Sequence, residues 1–146
     1  MNNTQTLSLT VGIDYAETAK SIMAELAIIT ACRPPEERTI PLANCRIKEL
    51  IATKTEAACD SVCASLSGYI SDVKPEDDTF LIELQLPHRI SHTAQRTIAA
   101  RMEETIILTV LAGLLSGSAW LNDELDKCQS RRAKALSSLR QLLAPH

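Results

Sequence analysis

The sequence predicts a mainly α fold: a four-helix bundle around a central apolar helix, with one or two short β-strands. Three observations carry this. The stretch Ile106–Leu115 contains no charge and only one polar residue, Thr109, so a helix there is apolar on nearly every side and belongs inside a bundle. Two further stretches, near residues 45–70 and 121–143, place apolar residues three and four apart. Two short segments, Leu7–Ile13 and Thr79–Leu86, alternate with a period of two instead.

The elements follow in order. Leu7, Leu9, Val11 and Ile13 alternate with Ser8, Thr10 and Gly12, which reads as a strand or as an extended arm with one apolar side. Asp14 is a good helix N-cap, and Glu17 stands at capping-box spacing from it. The first helix then runs to about Ala31, with Tyr15, Ala19, Ile22, Met23, Leu26 and Ile29 or Thr30 on its buried face. Pro34-Pro35 cannot continue it, and Arg33–Ala43 reads as a charged loop.

Asn44 is placed to cap a second helix over Cys45–Ile70, buried through Ile47, Leu50, Ile51, Ala58, Val62, Leu66, Tyr69 and Ile70. Lys74–Asp78 reads as a turn. Phe80, Ile82, Leu84 and Leu86 then form the apolar side of the clearest strand, blurred by Leu81 and ended by Pro87. A single strand is not stable alone. Its partner is either Leu7–Ile13 or the same strand of another copy.

Ser91 or Thr93 starts the central helix and Ser116-Gly117-Ser118 breaks it, with Gly113 suggesting close helix contact. Asn122 is placed to cap the last helix. Its acids (Asp123, Glu124, Asp126) come first and its bases (Arg131, Arg132, Lys134, Arg140) later, which complements the helix dipole. The short connection between the last two helices predicts that they lie antiparallel.

The 146 residues suit one domain, with residues 1–13 as the arm or strand. Aromatic residues make up only 3%, which counts against stacking on single-stranded nucleic acid. A net charge of −3 lacks the basic balance usual for binding duplexes. The five cysteines, an odd number, and an N-terminus without a signal-peptide pattern point to reduced thiols in a cytosol. No segment has the ~20 apolar residues that a membrane span needs.

Chemistry-bearing residues are sparse. Cys59 and Cys63 stand four apart and can face one side of a helix, as soft-metal ligands do, but no paired C-x-x-C motif accompanies them, and two buried thiols are the plainer reading. His88 and His92 have H-x-x-x-H spacing, yet Pro87 precedes them and no glutamate of an H-E-x-x-H motif lies between. Glu103 and Glu104 are adjacent, so on a helix they point about 100° apart, which suits a solvated face better than acid–base chemistry. Arg131, Arg132 and Lys134 form the densest basic cluster, read as phosphate contacts or as a face paired to nearby carboxylates. There is no phosphate-cradling glycine loop and no G-x-S-x-G elbow. The expectation is therefore no catalytic residue, no cofactor and no metal.

The order of parts carries a resemblance. The first helix ends AELAIITACR, and the second reads IKELIATKTEAACDSVCASLSGYI. The turn DVKPEDD leads into TFLIELQLP, then the long apolar helix, then LNDELDKCQSRRAKALSSLRQLL. This layout resembles small helical proteins of phages and prophages of gut Bacteroides-like bacteria, and is similar to the head–tail connector (adaptor) proteins of tailed phages. The resemblance covers roughly residues 12–143 by order and pattern. It implies a non-enzymatic, homo-oligomeric assembly protein of the virion or host cytoplasm, with portal or tail proteins as partners; the hydropathy predicts no membrane partner, and the charge balance and few aromatics count against nucleic acid. Leu7, Leu9, Val11, Phe80, Ile82, Leu84, Arg131 and Arg132 are then the candidate interface. The alternative is a cytosolic binding or regulatory module that contacts nucleic acid through the last helix.

Overall fold

The computed structural model describes residues 7–32, 46–86, 90–116 and 121–144, with side chains of 46–48 excepted. Along the chain lie β1 (Leu7–Asp14), α1 (Tyr15–Ala31), α2 (Arg46–Ser65), β2 (Ile70–Pro75), β3 (Thr79–Leu86), α3 (His92–Leu115) and α4 (Asn122–Leu143). Among the described residues the protein is mainly helical, with four helices and a small three-stranded antiparallel sheet of order β1-β3-β2. Among the described residues no helix is long and apolar enough to cross a membrane.

β1 is a strand of the sheet and pairs with β3 of its own chain, from Leu7 opposite Leu86 to Asp14 opposite Thr79. The period of two sorts the residues between faces. Val11, Ile13, Phe80, Ile82, Leu84 and Leu86 are buried in one apolar cluster with residues from all four helices, so the helices cover this face. Ser8, Thr10, Gly12 and Asp14 are exposed on the other. Leu81, which blurred the alternation, lies on that open face over Gly12, where an added Cβ would stand 3.5 Å from its Cδ2. The glycine leaves room for the leucine to be half covered without entering the core.

Asp14 ends β1 and caps α1 at once. Its Oδ1 accepts the Glu17 amide at 3.0 Å, and the Tyr15 amide donates to the Asp78 carbonyl at 3.0 Å. The Glu17 carboxylate, expected to complete a capping box, pairs with Lys20 at 3.3 Å instead. α1 buries Thr18, Ile22, Leu26 and Ile29, while Tyr15, Ala19 and Met23 pack at the rim of the core.

The second helix is shorter than its apolar pattern suggests. It ends at Ser65, and a turn through Leu66–Tyr69 delivers Ile70 into β2, a third strand where one or two were expected. The reason is local and tertiary together. Ser67-Gly68 is weak helix, Pro75 forbids further helix, and β3 offers an open edge. The Tyr69 carbonyl accepts the Gln85 amide at 2.8 Å, and the hairpin closes through the Glu76 amide to the Thr79 carbonyl at 2.8 Å. The expected turn at Lys74–Asp78 thus shrinks to Glu76–Asp78. The helix buries Ile51, Ala58, Cys59, Val62 and Cys63 and the turn buries Leu66, whereas Leu50 is 46% exposed.

α3 begins after Ser91, whose hydroxyl accepts the Ala94 amide at 3.1 Å. Its buried residues (Ile98, Met102, Thr105, Ile106, Leu108, Val110, Leu111 and Leu115) occupy more than one face, as a charge-free run requires. It touches α1, α2, α4 and β1. Gly113 is exposed rather than at a tight helix crossing; the nearest atom to an added Cβ is Lys54 Nζ at 3.8 Å. α4 is antiparallel to α3: Cys128 meets Leu108, while Lys134 and Ser138 lie with Arg101. Its cap position is Leu121, fully buried and without a side-chain cap bond, so Asn122 is the first helical residue and not the cap. Expectations at Arg33–Ala43, Asn44, Pro87, His88, Gly117, Ser118 and Trp120, and for the Ile47 side chain, lie outside the described residues.

Candidate interaction surfaces

The eight candidate interface residues divide sharply. Val11, Phe80, Ile82 and Leu84 are at most 4% exposed and belong to the core of their own chain. Their alternation measures burial against the helices, so they correct the expectation that they face another copy. Leu7 and Leu9 are half-buried at the margin of that core. What β1 offers outward is its backbone edge, with Ser8, Thr10 and Gly12 on the open face beside it. No described residue pairs with that edge.

The basic cluster of α4 also divides. Arg132 turns toward α3, where its Nε donates to the Thr109 hydroxyl at 2.7 Å. Thr109 in turn donates to the Thr105 carbonyl, and Thr105 to the Arg101 carbonyl, each at 2.7 Å. The one polar residue of the charge-free run therefore satisfies an arginine that sits half-buried on the seam. A hydrogen bond to a charged group in such a place contributes roughly 1.5–3 kcal/mol and fixes the position of α4 along α3.

Arg131 and Lys134 point elsewhere. With Arg101 and Glu104 of α3, and with Ala135 and Ser138, they line a groove of about 300 Å³. Arg101 holds Glu104 at 2.8 Å, and Arg131 reaches Glu25 of α1 only at 3.8 Å. Lys134 forms no ion pair among the described residues. The groove thus carries three cations against one lining carboxylate. Spacing within α4 brings Arg131, Lys134 and Ser138 to one side of the helix. Arg101 comes from another helix, and no local pattern links it to them. Because Arg132 faces away, α4 does not present one continuous basic face of the kind that tracks a phosphate backbone.

The thiols are placed as core residues. Cys59 is fully buried; desolvation first, then the neighbouring Cys63 and acids Asp60 and Glu56, push its pKa up to about 12. Burial and Asp60 push Cys63 up to about 11. Thiols so perturbed stay protonated at neutral pH and are poor nucleophiles and ligands. No group of three or more metal-ligating side chains occurs among the described residues. Cys128 donates to the Leu108 carbonyl at 3.3 Å, and Cys32 is exposed. His92 is the exposed first residue of α3, and Glu103 is exposed apart from the Arg101–Glu104 pair. The Tyr15 hydroxyl is buried without a hydrogen-bond partner, and burial followed by Glu56, Cys59 and Asp60 raises its pKa.

No family model, curated protein or solved structure matches this chain.

Proposed function

We propose that the chain is a non-catalytic assembly subunit that works by joining copies of itself, with the layout of a head–tail connector protein of a tailed phage. The observation that supports this is the outer edge of β1: eight residues in unbroken register, none charged before Asp14, with no strand beside them among the described residues. Proteins normally blunt such an edge with lysine, proline or a bulge, because it accepts another strand. The occupant that fits is β1 of a second copy. Antiparallel pairing across a two-fold axis extends the sheet to six strands and places no charge opposite a like charge over Leu7–Ile13. It also covers the half-buried Leu7 and Leu9. Behind the sheet the helices gather as a bundle around α3, giving the strands a stiff support. Portal or tail proteins are the further partners, and the particle or its host's cytoplasm is the setting.

Mass in solution across a concentration series tests the reading. Wild-type protein is expected to reach a dimer or higher. Thr10→Lys is expected to lose the association that persists at high salt, since Thr10 lies near the middle of β1 and pairing brings two such lysines together. Its neighbour across the sheet is Glu83, which accommodates the charge within the chain. A wild-type monomer throughout the series, or a Thr10→Lys protein that associates at high salt as the wild type does, overturns the reading.

A further inference from the structure

The charges of this chain are unevenly placed, and the two ends of that imbalance do not meet within one molecule. The tip of the β2–β3 hairpin carries Glu76, Asp77 and Asp78 in succession, all exposed. Its backbone is held at both sides, by the Glu76–Thr79 closure and by the Tyr15 amide on the Asp78 carbonyl. Among the described residues the only side-chain bond there is from the Thr79 hydroxyl to Asp78 Oδ1 at 3.3 Å, and none of the three carboxylates has a cation partner. The α3–α4 groove is net basic: Arg101, Arg131 and Lys134 line it with Ser138, and Glu104, paired to Arg101, is its one lining carboxylate.

The same chain does not bring these together. The turn is tied to α1 at Tyr15, and the groove touches α1 at Glu25. Ten residues of helix separate those points, roughly 15 Å. Exposed charges that far apart are largely screened, since the Debye length is about 8 Å at physiological salt. Each surface is therefore free to meet its complement on another molecule.

We propose that the α3–α4 groove receives the acidic β2–β3 turn of a second copy of this chain. The contact rests on the assembly reading above but differs from the β1 pairing in kind. Its two sides are different surfaces, so every contact leaves one free turn and one free groove, and such contacts continue until they close into a ring. It is also electrostatic, so salt weakens it, whereas backbone pairing at β1 is little affected by salt.

The test uses the full chain carrying Thr10→Lys, in which β1 pairing is blocked. One derivative reverses the turn (Glu76→Lys, Asp77→Lys) and another reverses the groove (Arg131→Glu, Lys134→Glu). Circular dichroism confirms that each folds; these positions are exposed. Sedimentation equilibrium is run at about 20 mM and about 500 mM salt, on either side of effective screening. The expected result has three parts. The parent associates at low salt and at least ~10-fold more weakly at high salt. Each reversed derivative alone is monomeric. An equimolar mixture of the two associates again, because reversed turns now meet reversed grooves. A parent that is monomeric at low salt overturns the proposal without touching the β1 reading. So does association that survives either reversal, or a mixture that stays monomeric. If instead a short DNA duplex binds the parent, is lost on groove reversal, and no chain–chain association is seen, the groove's occupant is nucleic acid and the proposal fails.

Discussion

β1 and β2 flank the same central strand, yet they meet the surroundings with opposite chemistry. β2 is short and exposed from Ser71 to Pro75, and it carries Asp72, Lys74 and Pro75. Its register slips between Ile70 and Asp72, where the Ser71 hydroxyl bonds the Glu83 carbonyl at 3.1 Å. Charge, proline and bulge are the three devices that keep a stranger's strand away. β1 has none of them before Asp14 and keeps register over its whole length. A position at the rim of a sheet is thus not itself an invitation. On the assembly reading proposed above, the residues decide which rim is closed and which stays receptive.

The largest effect is expected where the comparison is removed altogether. Ile82 is fully buried in β3, which both outer strands need. Ile82→Ala deletes packing shared by the whole cluster and should cost about 2–5 kcal/mol. Urea unfolding should show one cooperative transition at a lower midpoint, with both outer strands lost together. Loss of protection from hydrogen exchange in β2 alone would show instead that the two edges are stabilised independently.

Alkaline pH should act next, from the helical side of the core. The pKa values of Cys59 and Cys63 are raised from the usual 9.0 to about 12 and about 11. The folded chain therefore keeps these protons when the unfolded chain has released them. Stability from burying the neutral thiols is complete below pH 9 and falls as pH rises from 9 toward 11–12. Chemical denaturation at pH 7, 9 and 10.5 should show a flat then falling stability, and Cys59→Ala/Cys63→Ala should flatten the alkaline limb. A steeper fall in that variant would mean that other groups control it.

The smallest change in stability should accompany the sharpest change in behaviour. Lys74→Thr/Pro75→Thr removes the guard from β2 while touching only exposed side chains, so folding should change by no more than about 0.5 kcal/mol. Light scattering should nevertheless show association extending beyond that of the wild type, because both rims then accept strands. A variant whose mass curve matches the wild type would show that the bulge at Ser71 suffices as a guard.

Much of this was legible in the residues. The alternation of Leu7–Ile13 and of Phe80–Leu86 reported two strands, and the structure joins them within one chain. The charge-free run Ile106–Leu115 reported a helix buried on several sides. β2 escaped notice because Ile-Ser-Asp-Val-Lys-Pro has only two aliphatic residues, and the features that guard its edge are the ones that hide a strand. The apolar spacing of α2 also runs on through Leu66, Tyr69 and Ile70, and periodicity alone does not say where a helix yields to an available sheet edge. The groove was half legible. Arg131 and Lys134 declare themselves by proximity, but Arg101 lies about thirty positions away and only the antiparallel docking of α4 joins it to them. Arg132 was grouped with its neighbours by sequence and is separated from them by Thr109.

The junction at Asp14 has a mechanical consequence. One residue closes the last rung of β1 and begins α1, and the next is fastened to the hairpin tip through Asp78. There is no slack between them. A pull applied to β1 would pass directly into a helix axis and into the neighbouring turn, with that corner acting as a welded bracket and not as a hinge.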